Sequence, residues 1–234
     1  MKIMMLMNRY TPGQLDQRQS AVLAAVSQEV TVDFAAVEES GGGGAVTQLH
    51  RALVAPAFAR AAVAAERDGY DAVVTWGTLD LGVEEARHAV RIPVLGPGRV
   101  GANTAAMLVD RFAVLCYGAN QVVMFRKMLD GWGVGHRVTS LRHIDMRPME
   151  IPDQRDEVRR RFVAQARDAA DEGAELILPL GFSMVPVTLS ASDLADEIRL
   201  PVVDPLATVM HLAEALAASG YSNSRAAYPY VALE

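Results

Sequence analysis

The sequence predicts an α/β fold of two pseudo-symmetric parallel-sheet α/β domains with the active-site cleft between them, and three observations lead there. Short apolar runs alternate with longer segments of helical period, the pattern of βα units feeding a parallel sheet. The 234 residues, 51% of them hydrophobic, are enough to bury a large core as one domain or two small ones. The third observation is an internal repeat. Gly69-Tyr-Asp-Ala-Val-Val-Thr-Trp-Gly77, a helical segment and Ile92-Pro-Val-Leu-Gly-Pro97 are echoed by Gly173-Ala-Glu-Leu-Ile-Leu-Pro-Leu-Gly181, a helical segment and Leu200-Pro-Val-Val-Asp-Pro205. If each half is a small four-stranded domain, Gly77 and Gly181 end equivalent strands at their C-terminal edges, where open parallel sheets bind ligands. The alternative is chance repetition of a common βα pattern. The expected division is 1–100 with 206–234 as the first domain and 101–205 as the second.

Taken in order, the first strand is the apolar run Lys2 to Met7, followed by a helix at 13–28. Val30 to Val37 is the second strand, and the long alanine-rich segment 46–68 the second helix. Ala72 to Trp76 leads to a helix at 83–90, and Pro93 to Leu95 to one at 102–110. The second half repeats the order: Phe112 to Cys116 with helix 120–132, and Val138 to Leu141 with helix 153–172. Leu176 to Leu180 with helix 190–198, then Pro201 to Val203 with helix 206–218, complete eight strands and eight helices.

A formal net charge of −6, with basic residues scattered among acids, provides no field to hold a polyanion, so nucleic acid is not an expected partner. The single cysteine, Cys116, excludes an intramolecular disulfide and a Cys-rich metal site. No apolar run approaches the roughly 18 to 20 residues of a membrane span. The opening Lys2 to Met7 runs into Asn8-Arg9-Tyr10 without a signal-peptide pattern, so a cytoplasmic protein away from membranes is expected. Gly96-Pro-Gly98-Arg-Val-Gly101 matches G-x-G-x-x-G literally. The next strand, however, ends in Cys116-Tyr117-Gly118 and not in the acid that would hold a ribose. The run Gly41 to Gly44 lacks a following Lys-Ser/Thr and reads as a loop over the cleft mouth or a plain connector. His50, His88, His136, His143 and His211 show no metal-ligand spacing. His50 and His143, flanking strands, are open to either acid/base or structural roles. Gly181-Phe-Ser183-Met-Val185 lacks the second glycine of a nucleophile elbow.

Gly69-Tyr-Asp-Ala-Val-Val with Asp80-Leu-Gly82, Glu85-Ala-Arg87 and Ile92-Pro93-Val94 resembles the first catalytic segment of the aspartate/glutamate/hydantoin racemases. Met7-Asn8-Arg-Tyr-Thr11 is similar to their first strand and its loop, Arg111 to Tyr117 to the strand opening their second domain, and Gly173 to Leu178 to their second catalytic segment. The resemblance implies two α/β domains clamping a substrate. It also implies a cofactor-independent reaction in which one cysteine removes a proton α to a carbonyl or carboxylate and a second returns it from the opposite face. Those cysteines fall on Gly77 and on Gly181, or near Val185 in an alternative alignment, so both are absent, and Cys116 matches neither position. Arylmalonate decarboxylases are similar in having Gly-Thr at the first position, as in Gly77-Thr78, but keep the second cysteine.

The resemblance thus implies an isomerase or decarboxylase working through an enolate or carbanion on a small carboxylate or cyclic amide, with non-thiol acid/base groups. The competing reading is a non-catalytic binding protein for a small carboxylate. A homo-oligomer is left open. Asn8 and Thr11 are expected to hold substrate, or else to stabilise a turn. Thr78, and Phe182 with Ser183, come directly after Gly77 and Gly181, where backbone N–H groups and two hydroxyls would form an oxyanion site, or simply cap helices. Tyr117 is a candidate proton donor or a rim tyrosine. Asp80 and Glu84 would share a helix face if the helix starts early, one of them serving as general base, or be solvated acids at a helix N-terminus.

Overall fold

The computed structural model describes residues 1–37 and 47–233. The chain divides into two units, Met1–Pro97 with Val209–Glu234, and Gly98–Thr208. The first contains β1 (Lys2–Met7), α1 (Pro12–Leu23), β2 (Thr31–Ala36), α2 (Gln48–Arg67), β3 (Ala72–Thr75), α3 (Val83–Ala89) and β4 (Val94–Leu95). The second runs through α4 (Pro97–Leu108), β5 (Phe112–Cys116), α5 (Ala119–Gly131), β6 (Val138–His143), α6 (Arg155–Asp171), β7 (Ile177–Pro179) and α7 (Ala191–Ile198) to α8 (Pro205–Ala218), within which the division back to the first unit falls. Among the described residues, no helix is long and apolar enough to cross a membrane.

In the first unit the parallel sheet has the order β2-β1-β3-β4. Helix α2 sets Val54, Phe58, Ala62 and Ala65 at helical spacing against Leu6, Val73 and Val94 of the sheet and Val83, Ala86 and Val90 of α3. Gly82 makes this packing possible. It begins α3 in the left-handed region at φ +67, and a Cβ there would collide with Phe58 Cβ. Emptying the fully buried Phe58 position to alanine would cost about 3–5 kcal/mol.

The second unit repeats the plan, with order β6-β5-β7 and a single bridge from Ile177 to Val202 where the first unit has β4. Helix α6 packs Val158, Phe162, Ala166 and Ala169 against Leu115 and Ile177, joined by Ile144, Met184 and Leu194. The equivalence reaches individual bonds. Val73 N–H donates to Pro93 O at 2.9 Å and Ile177 N–H to Pro201 O at 2.9 Å. Asp71 N–H donates to Lys2 O, and Glu175 N–H to Arg111 O. The sequence repeat therefore marks a repeat of structure.

Three elements differ from the sequence reading, the first being α1, which ends at Leu23 and not at 28. The expected strand Pro201 to Val203 contributes only its one bridge. Helix α4 starts at Pro97, five residues early, because proline is preorganised for a first helical turn and Gly101 fits inside the helix against Pro205 and Leu178. The Gly41 to Gly44 run lies outside the described residues.

Candidate functional site

The C-terminal edge of each sheet places the residues singled out by sequence. In the first unit Leu6 pairs with Thr75, and Trp76 N–H donates to Leu6 O at 2.7 Å. Asn8 and Gly77 each lie two residues beyond that pair, so they emerge from neighbouring strands at the same edge. The Oδ1 of Asn8 is buried with no hydrogen-bond partner. The Thr75 hydroxyl at the end of β3 is buried and unpartnered as well; sequence reasoning missed it, although a hydroxyl closing the run Ala-Val-Val-Thr is a visible signal. Gly77 adopts φ +94, and no atom lies within 4 Å of where its Cβ would be. Its glycine identity follows from backbone conformation, not from crowding.

Thr78 and Asp80 are 4% and 7% exposed. Helix α3 begins only at Val83, so Thr78 caps nothing. For the same reason Asp80 and Glu84 do not share a helix face: Asp80 sits in the preceding turn at φ 50. Its carboxylate lies against Gly96, where a Cβ would collide with Asp80 Cγ. The first glycine of the literal G-x-G-x-x-G motif thus makes room for an acid. Glu84 fits the solvated-acid alternative, with its side chain 55% exposed and paired to Arg87 at 2.8 Å. Thr11 is exposed at the N-cap of α1, and its N–H donates to Gln14 Oε1 at 3.3 Å, which favours the turn-stabilising role.

In the second unit Leu115 pairs with Pro179, and Leu180 N–H donates to Leu115 O at 2.8 Å. Tyr117 and Gly181 therefore stand two residues beyond their pair, as Asn8 and Gly77 do. Tyr117 is half-buried, and its backbone is held on both sides: its N–H donates to Gln121 Oε1 and its carbonyl accepts from Met146 N–H. The phenol oxygen accepts a 2.8 Å bond from Ser183 N–H. The ring lies over Gly181, where a Cβ would come within 2.5 Å of Tyr117 Cζ and 2.8 Å of its oxygen.

Phe182 and Ser183 are buried, Ser183 to 8% exposure. No helix starts here: Met184 N–H and Val185 N–H both return to Gly181 O in successive turns, and α7 waits until Ala191. The expected helix start after Gly181 is absent, and the Ser183 N–H is directed at the phenol of Tyr117. Cys116 is fully buried in β5, where burial pushes its thiol up to about 12, so the sulfur stays protonated and unreactive at neutral pH. His143 ends β6 with Nδ1 buried and unpartnered. His50 lies in the first turn of α2, its N–H donating to Thr47 Oγ1.

Two repeated parallel-sheet units, each carrying a glycine and a polar residue side by side at its C-terminal edge, define a duplicated α/β protein. The sequence matches the Asp/Glu/Hydantoin racemase family over residues 17–213, and the chain belongs to that family. It is 26% identical to a hydantoin racemase of Rhizobium meliloti over 174 residues, 71% of this chain and 69% of that protein. Its fold is similar to that of allantoin racemase from Klebsiella pneumoniae, with a TM-score of 0.86 and 21% identity over 100% of this chain and 95% of that one. A liganded variant of arylmalonate decarboxylase is also similar, with a TM-score of 0.66 and 16% identity over 97% of this chain and 98% of that one. At these identities the two solved structures speak for the fold alone.

Proposed function

We propose that this chain is a cofactor-independent isomerase of its family that moves a proton at the carbon next to the carbonyl of a cyclic amide, with the phenol of Tyr117 in the role its relatives give to a thiol. The observation that carries the reading is the pairing of Tyr117 with Gly181: the tyrosine ring fills the space that a side chain at the second expected cysteine position would need. A titratable oxygen is thereby held at the edge where acid/base chemistry is expected. In the forward step the Tyr117 oxygen, as phenolate, takes the proton, and the C–H electron pair moves onto the carbonyl to give an enolate. The Ser183 N–H stabilises charge on the phenol oxygen. The Ser183 hydroxyl, beside Tyr117 in the same unit, is the donor for the enolate oxygen. Reprotonation of the planar enolate on its other face by a solvent proton gives the inverted carbon, and the phenol returns the proton it took to solvent, so that the phenolate is restored.

The choice of a cyclic amide over a carboxylate rests on Asn8. A buried acceptor without a partner costs about 1–3 kcal/mol, and Asn8 Oδ1 is one. An amide N–H in a ring satisfies it, whereas a carboxylate offers only further acceptors. The name that the sequence relatives share, hydantoin racemase, points to a ring of that kind. Asp80 is the carboxylate of the first edge and the second candidate acid/base group; Glu84, exposed and paired, is given no role. The competing reading is a binding protein that retains the polar sheet edges without the chemistry. Deuterium exchange at the ring carbon of a 5-substituted hydantoin or of allantoin separates the two, since exchange requires proton abstraction and binding does not.

A further inference from the structure

A cavity in the first unit, well along the chain from the residues of the candidate site, has unused charge. About 480 Å³ in volume, it is lined by Arg91, Ser222, Asn223, Arg225 and Tyr230. Three of the lining side chains are pinned. Ser222 Oγ donates to Arg91 O, Asn223 Nδ2 to Ile92 O at 3.4 Å, and the Arg225 guanidinium to the carbonyls of Arg87, Val90 and Tyr228. Val231 N–H donates to His88 O at 2.9 Å, holding the segment that carries Tyr230. The Arg91 guanidinium stands over the Tyr230 ring, 5.7 Å from its centroid. Among the described residues neither guanidinium is paired with an acid, although the Glu66 carboxylate accepts from the backbone N–H groups of Arg91 and Ile92 and other arginines here are paired with acids through their side chains. Carbonyl dipoles orient the Arg225 guanidinium and an aromatic face supports that of Arg91, but neither contact supplies a countercharge.

We propose that this cavity is a binding site for a small oxyanion, a phosphate or carboxylate group clamped between Arg91 and Arg225, with the Asn223 side chain at its rim. Two guanidinium groups converging on one volume match the paired oxygens of such a group. Ser222, Asn223 and Arg225 are already held by hydrogen bonds, so their ordering adds little cost on binding. Arg225 also holds the carbonyls of Arg87 and Val90 at the end of α3, so an occupied site would steady the helix beyond the Gly77 to Gly82 turn.

The test is calorimetric titration of the intact chain with inorganic phosphate and, separately, with malonate, at constant ionic strength set by chloride. The variants are Arg91→Gln, Arg225→Gln and Asn8→Ala. Arg91→Gln is decisive, because the Arg91 side chain contributes only its contact with Tyr230 and its loss leaves α3 capped. The expected result is saturable binding of at least one of the two anions, weakened tenfold or more by Arg91→Gln and unchanged by Asn8→Ala; whichever anion binds identifies the source of the oxyanion group. Absence of saturable binding, or binding equal in Arg91→Gln, would overturn the proposal. Binding lost in Asn8→Ala but kept in Arg91→Gln would assign the anion to the candidate active site and overturn it equally.

Discussion

The ring of Tyr117 occupies the volume into which any side chain on Gly181 would project, 2.5 Å from the Cβ position, while its oxygen is held at 2.8 Å by the Ser183 amide. The two residues meet because β5 and β7 are paired in a register that carries both two positions past Leu115 and Pro179. Glycine at 181 and tyrosine at 117 are thus one structural feature. A thiol at 181 is incompatible with the phenol in its present place, so a variant that simply introduces cysteine there would not recreate a two-thiol site.

Gly181→Ala should push the phenol off the Ser183 amide and cost about 1–3 kcal/mol through overpacking, read by denaturant unfolding. Tyr117→Ala combined with Gly181→Ala should recover part of that loss, a non-additivity expected of residues in contact. Strictly additive effects would mean that the ring and the glycine are not coupled.

Gly77 presents the opposite case, since the space around it is open and only its φ of +94 is restrictive. Gly77→Ala and Gly77→Cys should both fold, each destabilised by about 1–3 kcal/mol of backbone strain. Denaturant unfolding of the two variants checks this, and a loss well above about 3 kcal/mol in either would mean that the space around Gly77 is not open.

Cys116 should be dispensable: Cys116→Ser should leave exchange activity within about threefold, since the thiol lies in the strand interior and is no proton carrier near neutrality. Its titration gives a signed prediction. The folded thiol is raised from 9.0 to about 12 by burial. Below pH 9 both folded and unfolded chains keep the proton, and the thiol makes no pH-dependent contribution. Between pH 9 and about 12 only the unfolded chain releases it, so stability falls across that window. Cys116→Ser should show a smaller decline than the parent over the same range in chemical denaturation.

Much of this molecule was legible in its sequence, because apolar periodicity reports which segments are strands and helices, and the repeat reports that the plan occurs twice. Among the described residues the eight expected helices are where the periodicity places them, with ends shifted where turn chemistry decides, as at Pro97. The expected strand at Pro201 to Val203 shrinks to one bridge, since a short run flanked by prolines supplies few ladder donors. The local sites were harder. Asp80 and Glu84 read as a helical pair, but the positive φ values at Asp80 and Gly82 delay the helix and separate a buried acid from an exposed one. The contact of Tyr117 with Gly181, and that of Asp80 with Gly96, join residues remote in sequence through strand register and loop packing, which no local pattern encodes.

Asn8→Ala tests the choice of substrate class. Removing the unpartnered acceptor should weaken binding of a ring N–H ligand by about 1–2 kcal/mol, roughly five- to thirtyfold, while leaving the affinity for a small dicarboxylate within twofold. The opposite preference would place a carboxylate, not an amide, against Asn8.

The most direct measurement is solvent deuterium incorporation at the ring carbon of 5-substituted hydantoins and allantoin, followed by NMR, with the parent chain and Tyr117→Phe. Phenylalanine keeps the ring over Gly181 and removes only the oxygen. The expected result is exchange above the uncatalysed rate in the parent and a loss of at least about a hundredfold in the variant, the scale on which a positioned acid/base group contributes, with the fold unchanged by circular dichroism. Equal exchange in the two proteins would contradict Tyr117 as the proton carrier, and binding without any exchange in the parent would leave a binding protein.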